Sequence, residues 1–104
     1  MTVNKKSMEI LNEYLPLVEK IQKKGTDCEE MKVLEQNFHE TVLSIARQYE
    51  GQGKDLGDLV NAGNEGVRIA AMKYSLQTDF SFSSYSIWWI RQQMIQLIHE
   101  WTRT

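Results

Sequence analysis

Apolar residues recur at steps of three and four along most of this chain, and nowhere do apolar and polar residues simply alternate. Met31, Leu34, Phe38, Val42, Ile45 and Tyr49 form one such series, about five helical turns long. Leu56, Leu59, Val60, Gly63, Val67, Ala70, Ala71 and Tyr74 form a second, and Ile87, Ile90, Met94, Leu97, Ile98 and Trp101 a third. At 3.6 residues per turn each series lies on one side of a helix, whereas a strand needs a period of two. The spacing predicts an all-α fold, a compact helical bundle of four to five helices with their stripes closed on one another. A chain of 104 residues suits one domain, residues 1–104. Its 41% hydrophobic and 25% charged content is that of a globular protein rather than a disordered one.

One proline and six glycines punctuate the pattern. Ile10, Leu11, Tyr14, Leu17, Val18 and Ile21 form an N-terminal stripe, and Pro16 predicts a kink in it or a division into two short helices. Lys23, Lys24 and Gly25 read as a helix end, with cations in the last turn and glycine beyond. Thr26 or Asp27 is the expected cap of the next helix, with Glu29 and Glu30 in its first turn. Gly51 and Gly53 end that helix, and Asp55 caps the third. Gly57, Gly63 and Gly66 fall inside the third helix, where each costs about 1 kcal/mol relative to alanine. Gly63 lies on the apolar stripe, where close packing offsets that cost; Gly57 and Gly66 lie off it, and the pattern supplies no packing reason for them. A polar loop spans 75–83, and the last helix runs from about Ser84 to Trp101 with Ser83 as its cap.

Several functional classes are excluded by inventory. Cys28 is the single cysteine, so no internal disulfide forms and a reducing compartment is expected. The segment MTVNKKSMEIL has no long apolar core behind its lysines, and no run approaches a membrane span. A cytoplasmic location with no membrane partner is expected. His39, His99 and Cys28 have no ligand or triad spacing, and there is no phosphate-binding glycine loop. The expectation is a protein that is not an enzyme, with no catalytic residue, metal or cofactor. A net charge of −2 lacks the basic footprint of most nucleic-acid binders.

The stretch FSFSSYSIWW at 80–89 holds half of the chain's aromatics: Phe80, Phe82, Tyr85, Trp88 and Trp89. Serines, Ser84 among them, stand between the rings. On a helical projection Tyr85, Trp88, Gln92, Gln96 and His99 share a sector opposite the apolar stripe, with Trp89 at its edge. Another segment that covers this second face is one reading. The other is a stacking surface, because tryptophan and tyrosine faces bind unpaired bases at about 1–3 kcal/mol per base. Glutamine beside them reads a base edge, since its amide both donates and accepts. The same residues also suit a wet protein interface.

YSIWWIRQ at 85–92 resembles a signature of bacterial RNA polymerase sigma factors of the primary, or sigma-seventy, family. SIARQYEGQG at 44–53, DLVNAGNEGV at 58–67 and FSFSSYSIWWIRQ at 80–92 resemble that family's second conserved region in order and spacing. The resemblance covers residues 37–101 and is weaker over 1–36, where Lys24, Gly25, Thr26 and Asp27 resemble the segment before that region. It implies a domain that docks on the clamp coiled coil of core RNA polymerase and melts the minus-ten promoter element by binding its non-template strand. The docking motif resembles Asp58, Leu59, Val60, Asn61, Gly63 and Asn64, with Arg68 beside it. The strand-binding rings fall on Tyr74, Phe80, Phe82, Tyr85, Trp88 and Trp89, with Ser84, Lys73 and Arg91 alongside. Tyr85 would stack on the flipped adenine, the two tryptophans would brace the duplex edge, and Gln92 would read the last paired base pair upstream.

The departures from the family pattern carry information. Leu76, Gln77, Thr78 and Asp79 stand where basic residues are common, Ile95 where threonine is, Ala62 where glutamate is and Asn61 where glutamine is. The chain stops at Thr104 without the family's helix-turn-helix domain, which implies a piece of a longer sigma factor or a stand-alone partial sigma. An alternative is a co-sigma or competitor protein that binds core polymerase without melting promoters. An anti-sigma protein is a further partner that the resemblance admits.

Overall fold

The computed structural model describes residues 14–75 and 80–102. Those residues form four helices: α1 (Leu15–Lys24), α2 (Glu29–Gln48), α3 (Leu56–Lys73) and α4 (Phe82–Thr102). The fold is all-α, as the apolar spacing predicts. No helix among the described residues is long and apolar enough to cross a membrane.

Pro16 falls in the first turn of α1, where a missing N–H has no intrahelical partner to lose. Ile10 and Leu11 lie outside the described residues, and so does any kink before Tyr14. α1 ends as expected: Gly25 takes a positive φ of 90°, and its N–H donates to the Ile21 carbonyl at 2.7 Å. The cap of α2 differs from expectation. Cys28, not Thr26 or Asp27, occupies that position in extended backbone, and its side chain makes no capping hydrogen bond. The acids of its first turn offset this. Glu30 accepts from Lys24 Nζ at 3.0 Å, and that bond holds its carboxyl below the ordinary carboxylate value. Asp55 caps α3 as expected, its Oδ1 accepting from the Asp58 N–H at 2.9 Å.

The core is built from one stripe of each helix. Val18 and Ile21 of α1 meet Met31, Leu34, Phe38, Val42 and Ile45 of α2. Leu59, Val67, Ala70 and Ala71 of α3 meet Ile90, Met94 and Ile98 of α4. Ile87 and Leu97 pack on its margin, and the Trp101 side chain lies outside the described residues. α4 begins at Phe82, two residues before its expected start, and Ser81 rather than Ser83 caps it. Ser81 Oγ accepts from the Ser84 N–H at 3.1 Å. The physical reason is Phe82, whose 1% exposure draws the first turn into the core.

Gly66 corrects the expectation that it has no packing role. A Cβ built there would stand 2.8 Å from the backbone N and Cα of Ile90 and from the carbonyl carbon of Trp89. α3 and α4 therefore touch backbone to backbone at this point. At Gly63 the added atom would meet flexible or branched side chains instead, Met94 Cε and Val42 Cγ1, each at 2.7 Å. At Gly57 it would meet only Asp55 Oδ1 at 3.8 Å. Gly66→Ala is expected to lose about 1–3 kcal/mol through overpacking, despite the better helix propensity of alanine. Gly57→Ala is expected to be neutral or to gain up to about 1 kcal/mol. Urea denaturation of both variants checks this, and equal stabilities would refute the backbone contact.

Candidate nucleic-acid interface

Seven rings form a continuous series from the core to the surface. Tyr14 and Phe38 lie 5.1 Å apart, centroid to centroid, and Phe38 meets Phe82 edge-on at 5.8 Å. Phe82 meets Tyr74 edge-on at 5.3 Å, and Tyr74 lies 5.5 Å from Tyr85. Tyr85 stands 6.4 Å from Trp89, and Trp89 meets Trp88 edge-on at 5.1 Å. The series starts at half-buried Tyr14, passes through the buried rings of Phe38, Phe82 and Tyr74, and ends at Trp88, which is 54% exposed. Phe80, just before α4, is 64% exposed.

The aromatics of 80–89 therefore fall into three classes. Phe82 belongs to the core. Tyr85 and Trp89 are half-buried, leaning on it. Phe80 and Trp88 are presented to solvent. Two expected strand-binding residues need correction on this ground. Phe82 at 1% exposure and Tyr74 at 5% offer no face to a base. They anchor the rings that do. Ser84 is exposed at the same end of α4.

Trp88 is a wall shared by two clefts. One, of about 390 Å³, is lined by Phe80, Ser84, Tyr85 and Trp88 and is almost wholly apolar. The other, of about 560 Å³, runs along α4 between Trp88 and Trp89, Gln92, Gln96 and His99, with Gln93, Ile95 and Glu100 completing it. The first suits the flat faces of an unstacked base. The second offers amide groups that both donate and accept, as base edges require. Sequence reasoning missed Gln93 and Glu100. On a helical wheel both project just beyond Trp89, outside the sector's edge, and the width of the cleft brings them in.

Positive charge is scarce at this face. The Lys73 ammonium lies 5.3 Å from the Trp89 ring centroid, a cation–π arrangement that places it on the platform. Arg91 turns instead toward α2, where its guanidinium donates to Gln48 Oε1 at 3.0 Å. Arg68 donates to Glu35 at 2.7 Å and to Glu65 at 3.3 Å, and the Glu35 bond raises its already high pKa. Trp89 Nε1 and Ser86 Oγ are buried with no hydrogen-bond partner among the described residues. No group of His, Cys, Asp and Glu among those residues is arranged to hold a metal ion.

The expected docking residues lie together on α3, but Leu59 and Gly63 face the core rather than solvent. Asp58, Asn61 and Arg68 are exposed and Asn64 is half-buried on the side of α3 turned from the core. Leu59 is fully buried and belongs to the hydrophobic core. Its place in the motif is a packing requirement, because a residue one step from Asp58 points about 100° around the helix. Leu76, Gln77, Thr78 and Asp79 lie outside the described residues, as does Arg103.

Comparison with known proteins agrees with this geometry. The family profile described as Sigma-70 region 2 matches residues 35–103. Over 73 residues the chain is 38% identical to the RNA polymerase sigma factor SigA4 of Synechococcus elongatus. That alignment covers 70% of this chain and 23% of the relative, so the chain spans about a quarter of the relative's length. A profile matched over more than half of the chain, on an all-α fold with the aromatic and docking motifs on separate helices, shows that this chain belongs to the sigma-70 family through its region 2.

Proposed function

We propose that this domain serves transcription initiation by docking on core RNA polymerase and recognising and melting the minus-ten promoter element through its non-template strand. The observation that carries the reading is Trp88, an uncovered indole between an apolar cleft and an amide-lined one. Opening a duplex forfeits about 1.4 kcal/mol of stacking per base step. A ring that stacks on an unpaired base returns about 1–3 kcal/mol. Phe80, Tyr85 and Trp88 can therefore offset the opening of a few steps, which fits a short melted element rather than a long one. In this reading a flipped base lies against Tyr85, Trp88 and Trp89 brace the last pair, and Gln92 reads its edge.

Asp58, Asn61 and Asn64 present acid and amide groups that complement a basic coiled coil, the clamp coiled coil of core polymerase. Asp58→Ala is expected to weaken binding to that coiled coil by about 1–2 kcal/mol. The fold should lose less than about 1 kcal/mol, the worth of an acid in a first helical turn. Unchanged binding by surface-immobilised coiled coil, or a collapse of the fold, would remove Asp58 from the interface. Cytoplasmic location and an anti-sigma partner belong to the same proposal.

The deciding experiment titrates the chain with a fluorescent minus-ten non-template strand and with a strand of the same composition in scrambled order. Preferential binding of the first supports strand recognition. Binding of the coiled coil with no binding of either strand would favour a co-sigma or competitor that docks without melting.

A further inference from the structure

Tyr74 makes three contacts that a stacking residue does not need. Its hydroxyl donates to the backbone carbonyl of Phe80. Its own carbonyl accepts from Gln22 Nε2 at 2.8 Å, and the same amide donates to the Ala71 carbonyl at 3.0 Å. Its ring packs edge-on to Phe82 and tilted to Tyr85. Gln22 belongs to α1, Ala71 to α3 and Phe82 and Tyr85 to α4, so three helices converge on one residue. α3 ends here because Tyr74 leaves helical backbone, at φ −62° and ψ 129°. Carbonyls at such an end lack intrahelical donors. Gln22 supplies two of them with one amide.

We propose that Tyr74 is a positioning residue for strand binding, supported by Gln22: its hydroxyl holds the Phe80 backbone and so presets the exposed Phe80 ring as a wall of the apolar cleft. The proposal rests on the reading of that cleft as a strand-binding surface. It replaces direct stacking by Tyr74, which the burial of that ring precludes. A phenylalanine at this position would fill the same space and keep the ring contacts, yet it would remove the hydroxyl's bond to the Phe80 carbonyl. The strand would then have to order Phe80 at the moment of binding, which weakens affinity by about five- to tenfold. Burial also raises the hydroxyl above its ordinary pKa, which favours the protonated form that donates the bond. Gln22 acts from a helix that contributes nothing to the cleft itself. Its route to strand binding is therefore through the end of α3 that its amide holds, Ala71 and Tyr74.

The test uses the full 104-residue chain as wild type, Tyr74→Phe, Phe80→Ala and the double variant, each titrated with the fluorescent minus-ten strand. Tyr74→Phe is expected to keep a melting temperature near that of wild type and to bind about five- to tenfold more weakly. In the Phe80→Ala background the same substitution should change affinity less than about twofold, because coupled residues fail to add. Gln22→Met should also weaken binding, and that loss too should vanish when Phe80 is alanine. In the free protein, the carbon-13 resonance of the Phe80 carbonyl should move upfield in Tyr74→Phe. An unmoved carbonyl resonance overturns the hydrogen bond, whether or not the chain binds DNA. Wild-type affinity in Tyr74→Phe overturns the positioning role, and a loss that persists in the Phe80→Ala background overturns its route through Phe80. Wild-type affinity in Gln22→Met removes Gln22 from the clamp. A wild-type chain that shows the carbonyl shift but binds no strand overturns the strand-binding reading of the face instead.

Discussion

Phe82→Ala is expected to cost about 3–5 kcal/mol of folding stability, the largest effect of any single substitution in the aromatic segment. The ring is 1% exposed and lies within 6.0 Å, centroid to centroid, of Tyr14, Phe38 and Tyr74. Those three come from different parts of the chain, so no single neighbour can move to fill the space. Its removal would leave an apolar cavity at the point where α4 enters the core, and the ring of Tyr74, against which Tyr85 packs, would lose the surface that supports it. A domain of this size has about 5–15 kcal/mol in total, so the variant would be marginal or unfolded near body temperature. Urea denaturation at 25 °C measures the loss. A drop under about 1 kcal/mol, accompanied by weaker strand binding, would return Phe82 to the surface and restore it as a contact residue.

That result would also settle how far the motif can be read. The helical stripes were legible in the sequence because side-chain direction follows from position along a helix. Asp55 and the Lys24–Gly25 helix end were legible because capping is local chemistry. The same projection sets Trp88 opposite the apolar stripe but leaves open whether another segment covers it, which its exposure in the fold decides. Most of what was not legible shares one cause, namely contacts made by parts of the chain far apart in sequence. Gly66 has no side chain to project, so its contact with the backbone of Ile90 is invisible until α4 is in place. The bonds from Gln22 to Ala71 and Tyr74 join residues about fifty positions apart, and nothing in α1 announces them. Phe82 and Tyr74 carry the family motif as plainly as Phe80 and Trp88 do. A motif records that a ring is required, and burial alone tells which rings support and which touch a ligand. Leu59 differs from Asp58 in the same way. Cys28 took the cap expected of Thr26 or Asp27 because the turn from Gly25 runs longer than a local reading allows, and the acids of the first turn make a strong cap unnecessary there.

Trp88→Ala is expected to weaken binding of the minus-ten single strand by about 1–3 kcal/mol, or roughly 5- to 150-fold in affinity. Stability should fall by about 1 kcal/mol or less, since the exposed ring has Trp89 as its aromatic neighbour and stands clear of the core. The two numbers together distinguish a ligand-facing ring from a covered one. The effect should be large relative to total affinity because, among the described residues, little else at this face can hold a polyanion. Single-strand binding through phosphates weakens with salt at a slope of about −0.7 per contacted phosphate. Arg68 is held by Glu35 and Glu65, and Arg91 is turned to Gln48, which leaves Lys73 on the platform beside Trp89. A log–log salt slope no steeper than about −2 is therefore expected for the wild-type chain, and Trp88→Ala should leave it unchanged while lowering affinity at every salt concentration. Strand order should matter more than ionic strength, and stable promoter opening would require core polymerase to supply the positive channel. Fluorescence titration of wild type and variant from low to moderate salt measures both quantities. A steep slope, or tight binding indifferent to strand order, would mean that phosphate contacts carry the interaction and that the rings are secondary. A Trp88→Ala variant that loses several kcal/mol of stability would show instead that this indole is part of what holds α4 in place.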